Sequence, residues 1–310
     1  LTTQLALYQE QALRRFIRAL PPAPTAVLEV GSDIEAKVVR AIANRVDCEV
    51  VGVNPAPTFP QLPDGQELSG AIRLLREDGR SIPLPDESVD GVFTVATIEH
   101  VLEVDRLYAE VHRVLKPGGV LHADFAPIWS SSIGHHTYAV VDEKEARYWK
   151  PGRNPVPDFA HLLWTPEEMR DFLSHGPCDD SLVEPIVDWI YHGDGVNRVL
   201  LEEHLQALKN SEFICERLRL KPGTPPDPET ESKLYARYGT ARRFDVAGVE
   251  ATMRKRSADT DEFRIASRRI ASEGVTLLVD FARSFSPVLR RSRKMRQLLN
   301  RRHLQPGGGS

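Results

Sequence analysis

Residues 27–45 read VLEVGSDIEAKVVRAIANR: an apolar run, a glycine turn, then apolar positions at helical spacing. A short continuous apolar run bounded by a turn is what a strand buried on both faces looks like. Gly31 is the residue type that a tight strand-to-helix turn and a close backbone approach to a ligand both require. Where a dinucleotide-binding loop sets a second glycine, this chain has Asp33. An aspartate opposes an anionic pyrophosphate at short range and suits a cationic ligand. The stretch therefore predicts a nucleotide-type loop that does not serve a dinucleotide.

The same alternation continues outward. Upstream, LTTQLALYQEQALRRFIRAL reads as an amphipathic helix with Leu5, Tyr8, Leu13, Phe16, Ile17 and Leu20 near one face, broken by PPAP. The helix after Gly31 is predicted over about 34–46. CEVVGVN is a second apolar strand, stopped by the proline-rich PAPTFPQLPDG. GAIRLLRED and VDGVFTVAT are further short elements, DRLYAEVHRVLKPGG a helix closed by Pro-Gly-Gly, and VLHADFAP another strand. Strands alternating with helices predict a mostly parallel α/β sheet with helices on both faces. Such a sheet binds ligands at the carboxyl ends of its strands, where strand order reverses, so the turn after Val30 belongs to that crevice.

From 127 to 164 the alternation stops, and the segment is rich in aromatic residues, His, Pro and Gly. A long irregular insertion of this kind reads as a lid or binding loop. TPEEMRDFLSHG starts a helix with Thr165 as N-cap and Glu168 as its box partner. VNRVLLEEHLQALKN is a helix, FICERLRLKPG and RRFDVAGVEATMRKR are late strands, and 259–302 is helical with an interruption near Pro287. The expected organisation is an N-terminal helix over 1–25, a domain over 26–256 with its lid at about 127–164, and a helical extension over 257–305.

Bulk properties narrow the class. An apolar fraction of 41% and a charged fraction of 27% are ordinary for a globular chain. A formal net charge of -4 excludes a generally basic nucleic-acid binder. Cys48, Cys178 and Cys215 form no CxxC pair, so neither a disulfide framework nor a cysteine zinc site is expected, and a cytoplasmic setting fits. No apolar run approaches the roughly 20 residues that cross a bilayer.

Four stretches, VLEVGSD, VVGVN, REDGRSIPLPDESVDGVFTVATIEHV and EVHRVLKPGGVLHADF, together resemble the class I S-adenosylmethionine-dependent methyltransferases, most closely the small-molecule type 11 group. The resemblance covers about 26–126. It implies a Rossmann-like seven-stranded sheet and S-adenosylmethionine as cofactor. It also implies that Glu29 holds the methionine amino group, that Gly31 lets the backbone approach, and that Asn54 stands where the family binds the ribose with an acid. Asp78 would accept from the adenine amino group beside the Gly79 backbone, with Ala96, Thr97 and Glu99 at the methionine portion and reacting centre. Residue by residue, bland readings stay open: Glu29 as a helix-terminus partner, Asn54 and Asp78 as turn residues.

WSSSIGHHTY follows the strand VLHADF, where the resemblance puts the acceptor pocket. Methyl transfer to a hydroxyl or ammonium needs a proton acceptor, so His135 and His136 are candidate bases; the alternative is that they tie the lid to the domain. His100 reads as a cofactor-side or packing residue. Trp129, Tyr138 and Trp164, with Trp149 and Phe159, either wall an acceptor pocket or build the lid's own core. No spacing matches a familiar metal-ligand motif, and no metal is expected. The basic LRRSRKMRQLLNRR suggests a solvated or homo-oligomer-contacting tail. The expected activity is methylation of oxygen or nitrogen on a small acceptor, a specialised metabolite or sugar-containing compound. Open competitors are a non-methylating rearrangement or metal-assisted reaction on the same fold, and a non-catalytic binding protein.

Overall fold

Strand β1 (Ala26–Val30) is buried from Val27 to Val30 because parallel strands flank it on both sides. The computed structural model describes residues 4–59, 72–137, 140, 154–176 and 178–257. Beside β1 lie β2 (Glu49–Val53) and β4 (Val89–Val95), with Val30 level with Val53 and with Thr94; β3 (Ile72–Leu75) pairs with β2. β5 (Leu115–Phe125) runs parallel to β4, and β7 (Val246–Arg254) is antiparallel to both β5 and β6 (Ile214–Pro222). The order β3-β2-β1-β4-β5-β7-β6 is a Rossmann-like sheet that reverses direction of build between β1 and β4.

Alternate side chains feed two cores. Val27, Val50, Ile72, Leu74, Phe93 and Val120 pack beneath α1 (Leu7–Ala19) and α2 (Lys37–Ala43). Helix α1 buries Ala12, Leu13 and Phe16, the Phe16 ring meeting Phe93 at 5.3 Å. Each such side chain contributes about 1.5–3 kcal/mol of transfer free energy. On the opposite face, α3 (Val104–Val114) covers Val30 through Leu107.

Three differences from the sequence reading have physical causes. Helix α2 is shorter than 34–46, because Asp33 turns its carboxylate onto the amides of Glu35 and Lys37 and so delays the first helical turn. The Lys-Pro-Gly-Gly run does not end the helix: α3 stops at Val114 and β5 begins at Leu115, with Gly118 at φ +81°. Beyond β5, a short α4 (Ala160–Leu163) and α5 (Pro166–Ser174) precede a helix the sequence reading missed, α6 (Asp180–Tyr191). Pro185 inside α6 reads as a breaker, yet Val183, Ile186, Val187 and Ile190 bury one face and outweigh the lost backbone bond. Helices α7 (Leu201–Asn210) and α8 (Pro228–Tyr238) complete the order.

The lid is a second core. Trp129, Val156, Phe159 and Leu162 cluster with Met169, Ile186, Ile190, Leu234 and Phe244. The expected helical extension, and Tyr138 and Trp149, lie outside the described residues.

Candidate functional site

The crevice at the β1–β4 reversal is a cleft of about 490 Å³ lined by Val30, Gly31, Val53, Asn54, Asp78, Gly79, Ala96, Thr97 and His100, with Arg80, Leu102 and Asp194 at its border. Gly31 has φ +83°, and a Cβ there would stand 2.0 Å from Thr97 Oγ1. The backbone approach therefore needs a glycine on both conformational and steric grounds. At Gly79 an added Cβ would meet Val30 Cγ1 at 2.7 Å. Both cleft-lining glycines thus pack directly against neighbouring side chains.

Three polar groups read from the sequence are already engaged. Asn54 Nδ2 donates to the Ser32 carbonyl at 2.8 Å, and its Oδ1 accepts from Ala56 N at 2.8 Å. It therefore acts locally as a turn residue. Asp78 accepts a two-pronged contact from Arg80, at 3.0 Å from Nε and 2.7 Å from Nη2. The Arg80 guanidinium is the main cause holding the Asp78 carboxyl below its ordinary range. Asp33 caps the start of α2 through Glu35 N and Lys37 N, at 3.0 and 3.1 Å. The amides that would cradle a phosphate already hold an anion.

Two carboxyls flank this loop underground. Glu29 is 1% exposed, accepts from Ser32 Oγ at 2.7 Å, and is pushed up to about 8 by burial. Glu99 is equally buried on the single 3-10 turn Ile98–His100. Its Oε1 accepts from Ala126 N at 3.2 Å, while Oε2 has no hydrogen-bond partner. Burial likewise pushes Glu99 up to about 8. The turn is stapled by Asn197, whose Nδ2 donates to the carbonyls of Ile98 (2.7 Å) and Val101 (3.1 Å) and whose backbone N donates to Glu99 O at 3.0 Å.

His135 and His136 lie inside the lid, buried to 0% and 1% exposure. His136 Nε2 donates to the Pro127 carbonyl at 2.6 Å, and its ring stands edge-on to His100 at 4.9 Å. His135 packs against His161 at 5.0 Å, and its Nδ1 accepts from Thr137 N at 3.3 Å. Burial pushes His136 down to about 3 and His135 well below the ordinary imidazole range, so both are neutral. Neither lines the cleft, whereas His100 does, its Nδ1 donating to Gly195 O at 2.6 Å. Trp129 belongs to the lid core against His161, and Trp164 meets Phe172 at a tilt of 56° and borders a separate groove with Lys233 and Arg237. Among the described residues no three His, Cys, Asp or Glu side chains converge as metal ligands, and no helix is long and apolar enough to cross a membrane.

The residues fit a nucleoside with a positive end. Gly31 and Gly79 line the cleft, Asp33 occupies the first amide of α2 at Lys37, and an unpartnered buried carboxyl oxygen lies one residue from the cleft-lining His100. Sequence reasoning missed Arg80 and Asp194 on the cleft; the turn signal HGDG at 192–195 is the trace the latter leaves.

Residues 28–123 match the model of a family described as a methyltransferase domain. Sterol 24-C-methyltransferase erg-4 of Neurospora crassa is 32% identical over 99 residues, 30% of this chain and 25% of that protein. An uncharacterised methyltransferase of Mycobacterium sp. (strain KMS) is 32% identical over 149 residues, 46% of this chain and 57% of that protein. The chain thus spans between a quarter and a little over half of these relatives' lengths. An S-adenosylmethionine-dependent methyltransferase from Mesorhizobium loti superposes with a TM-score of 0.45 at 18% identity, covering 79% of this chain and 96% of that one.

Proposed function

This chain belongs, through residues 28–123, to the class I S-adenosylmethionine-dependent methyltransferases of type 11, and from that premise we propose that it methylates oxygen or nitrogen on a small acceptor. The acceptor class we favour is a specialised metabolite or a sugar-containing compound. The observation that carries the proposal is the cleft at the β1–β4 reversal, where Asp33 occupies the amides of Glu35 and Lys37 and two neighbouring buried carboxyls, Glu29 and Glu99, form no ion pair among the described residues. That arrangement rejects a pyrophosphate and receives a cation.

When bound, S-adenosylmethionine supplies a methyl on a sulfonium, whose leaving group is a neutral thioether. Gly31 and Gly79 give its nucleoside a close backbone floor, and Asp78, with Arg80 beside it, faces the base. Thr97 and Ala96 stand at the methionine end; Ala96 has φ +51°, a strained conformation held there by the end of β4. His136, neutral in the lid's core, stands edge-on to the cleft-lining His100 at 4.9 Å. In this reading His136 is a positioning residue and His135 ties the lid core together through His161.

Calorimetric titration with S-adenosylmethionine and S-adenosylhomocysteine tests the cofactor reading. Micromolar binding supports it, and no heat at millimolar ligand removes it. Incubation with methyl-labelled cofactor and a panel of hydroxyl- and amine-bearing metabolites then tests the acceptor class. A second reading, methylation at carbon, is favoured by the name of the Neurospora relative, whose match spans 99 residues. Carbon-13 NMR of the labelled product separates the two, because methyl groups bound to oxygen, nitrogen and carbon resonate in different ranges.

A further inference from the structure

The loop between α6 and α7 reads HGDG at 192–195 and brings a carboxylate, Asp194, to the cleft that His100 also lines. Both flanks of Asp194 are tied down. The Gly193 carbonyl accepts from Arg198 Nη2 at 2.6 Å, and the Gly195 carbonyl accepts from His100 Nδ1 at 2.6 Å. Gly195 leaves no room for a side chain, since a Cβ there would stand 2.1 Å from the Trp189 ring. Asp194 itself is exposed and forms no hydrogen bond or ion pair among the described residues. The Arg198 guanidinium feels its charge but is engaged by the carbonyls of Ile190 and Gly193. Asp78, the other acid lining the cleft, is matched by Arg80, which also pairs with Glu103. One negative charge on the cleft is therefore left over.

His100 adds a base. A carbonyl only accepts, so the ring carries its hydrogen on Nδ1 and presents a lone pair at Nε2. Nε2 has no hydrogen-bond partner among the described residues. The His136 ring, tied to the Pro127 carbonyl, backs His100 from the lid. Burial holds His100 below the ordinary imidazole range, so it is unprotonated at pH 7. The charged and titratable groups around it are Asp194 on the loop it anchors, His136 from the lid, Glu99 on its own turn, and Asp78 and Arg80 on the same cleft.

We propose that the acceptor is an amine, met as its ammonium ion by Asp194, and that His100 Nε2 takes the proton whose loss frees the nitrogen lone pair. The inference rests on the methyl-transfer reading above and narrows it from oxygen or nitrogen to nitrogen. An ammonium gives its proton to an imidazole more readily than an aliphatic hydroxyl does, and its charge is what a leftover carboxylate selects. A neutral phenol brings nothing to Asp194. The carboxylate also offsets the repulsion between two cations sharing one cleft. The balance closes. The nitrogen–hydrogen electron pair stays on nitrogen as the proton moves to Nε2. That pair forms the new bond to the methyl carbon, the carbon–sulfur pair stays on sulfur, and the product leaves as a methylated ammonium ion. The imidazolium then returns its proton to solvent, one per turnover.

The test gives wild type, His100→Asn and Asp194→Asn methyl-labelled S-adenosylmethionine and a panel of primary and secondary amines, each beside the alcohol of the same carbon skeleton. His100→Asn keeps an N–H donor for the Gly195 carbonyl while removing the Nε2 lone pair. Calorimetry with S-adenosylmethionine and S-adenosylhomocysteine accompanies each variant. We expect label on amines and none on the paired alcohols. In His100→Asn kcat should fall about a hundredfold or more, with S-adenosylhomocysteine affinity held within about threefold. In Asp194→Asn, on the exposed loop, the amine KM should rise about threefold to tenfold, and both cofactor forms should respond alike. Label on alcohols but not amines, or no amine labelled by a wild type that binds the cofactor, overturns the inference and leaves methyl transfer standing. So does undiminished turnover in His100→Asn. A loss in Asp194→Asn confined to S-adenosylmethionine overturns it too, because the carboxylate would then serve the sulfonium. Failure of wild type to bind either cofactor form overturns it together with the methyl-transfer reading, and is a separate, visible outcome.

Discussion

Gly31 is the residue at which sequence and geometry can be compared most directly. Its φ of +83° and the 2.0 Å approach of a would-be Cβ to Thr97 Oγ1 mean that Gly31→Ala incurs both backbone strain and a clash. We expect a loss of roughly 2–3 kcal/mol in urea unfolding; a loss under about 0.5 kcal/mol would show that the turn relaxes freely. Asp78→Ala removes a charge-assisted acceptor from the cleft without touching the core. Cofactor affinity should fall about tenfold to a hundredfold with the unfolding midpoint little changed, as the loss of one such bond implies. Unaltered affinity would take Asp78 out of the site. These two positions were legible because the chemistry is carried by the residue type itself, a glycine in a turn and a carboxylate before a glycine. Arg80 was not. Arg80 reads as a surface charge until its fork with Asp78 is seen.

At the scale of elements, the strands were readable because both faces of a central parallel strand are buried, which leaves unbroken apolar runs such as VLEV and VVGV. Helix starts were readable where a cap is written in the chain. Thr165 and Glu168 form the expected reciprocal box, at 3.2 and 2.8 Å. Helix α6 was not, because Pro185 obscured a pattern whose stability comes from tertiary burial. The lid's role was ambiguous for a related reason: aromatics wall a pocket or fill a core with the same letters, and Trp129 and Phe159 turn out to fill one. The turn at Ile98–His100 is held from outside by Asn197, which makes three hydrogen bonds to it from 96 or more residues away. Asn197→Ala strands two of those carbonyls. We expect about 1–3 kcal/mol of destabilisation and a weaker grip on S-adenosylmethionine, because the cleft-lining His100 rides on this turn. A variant that loses stability while keeping affinity would show that the staple serves the fold alone.

For the whole molecule, the buried titratable groups set a pH optimum for stability whose two limbs have different owners. His122, His135, His136, His161 and His204 are buried and neutral, each held below its ordinary range by burial, to about 3 or 4 where a figure is given. A folded value below the unfolded one, near 6.5, means that stability is full above 6.5 and falls as acid protonates the unfolded chain first. Glu29 and Glu99 act oppositely. Their folded values, about 8, lie above the unfolded 4.5, so their contribution is full below 4.5 and fades as pH rises toward 8. Between 4.5 and 6.5 the five imidazoles outweigh the two carboxyls, and above 6.5 only the carboxyls act. Each group contributes at most about 1.4 kcal/mol per pH unit, so the acid limb should be the steeper and the maximum should stand near pH 6.5. Urea midpoints at pH 5, 6.5 and 8 decide the matter, and a steady rise through pH 8 would contradict it. Glu99→Gln should flatten the basic limb and steepen the acid limb, since an amide has no proton to lose and no longer offsets the imidazoles between 4.5 and 6.5. S-adenosylmethionine should do in wild type what that substitution does in the free protein, stabilising more at pH 8 than at pH 6.5, because a carboxyl already ionised needs no proton removed before a cation settles beside it.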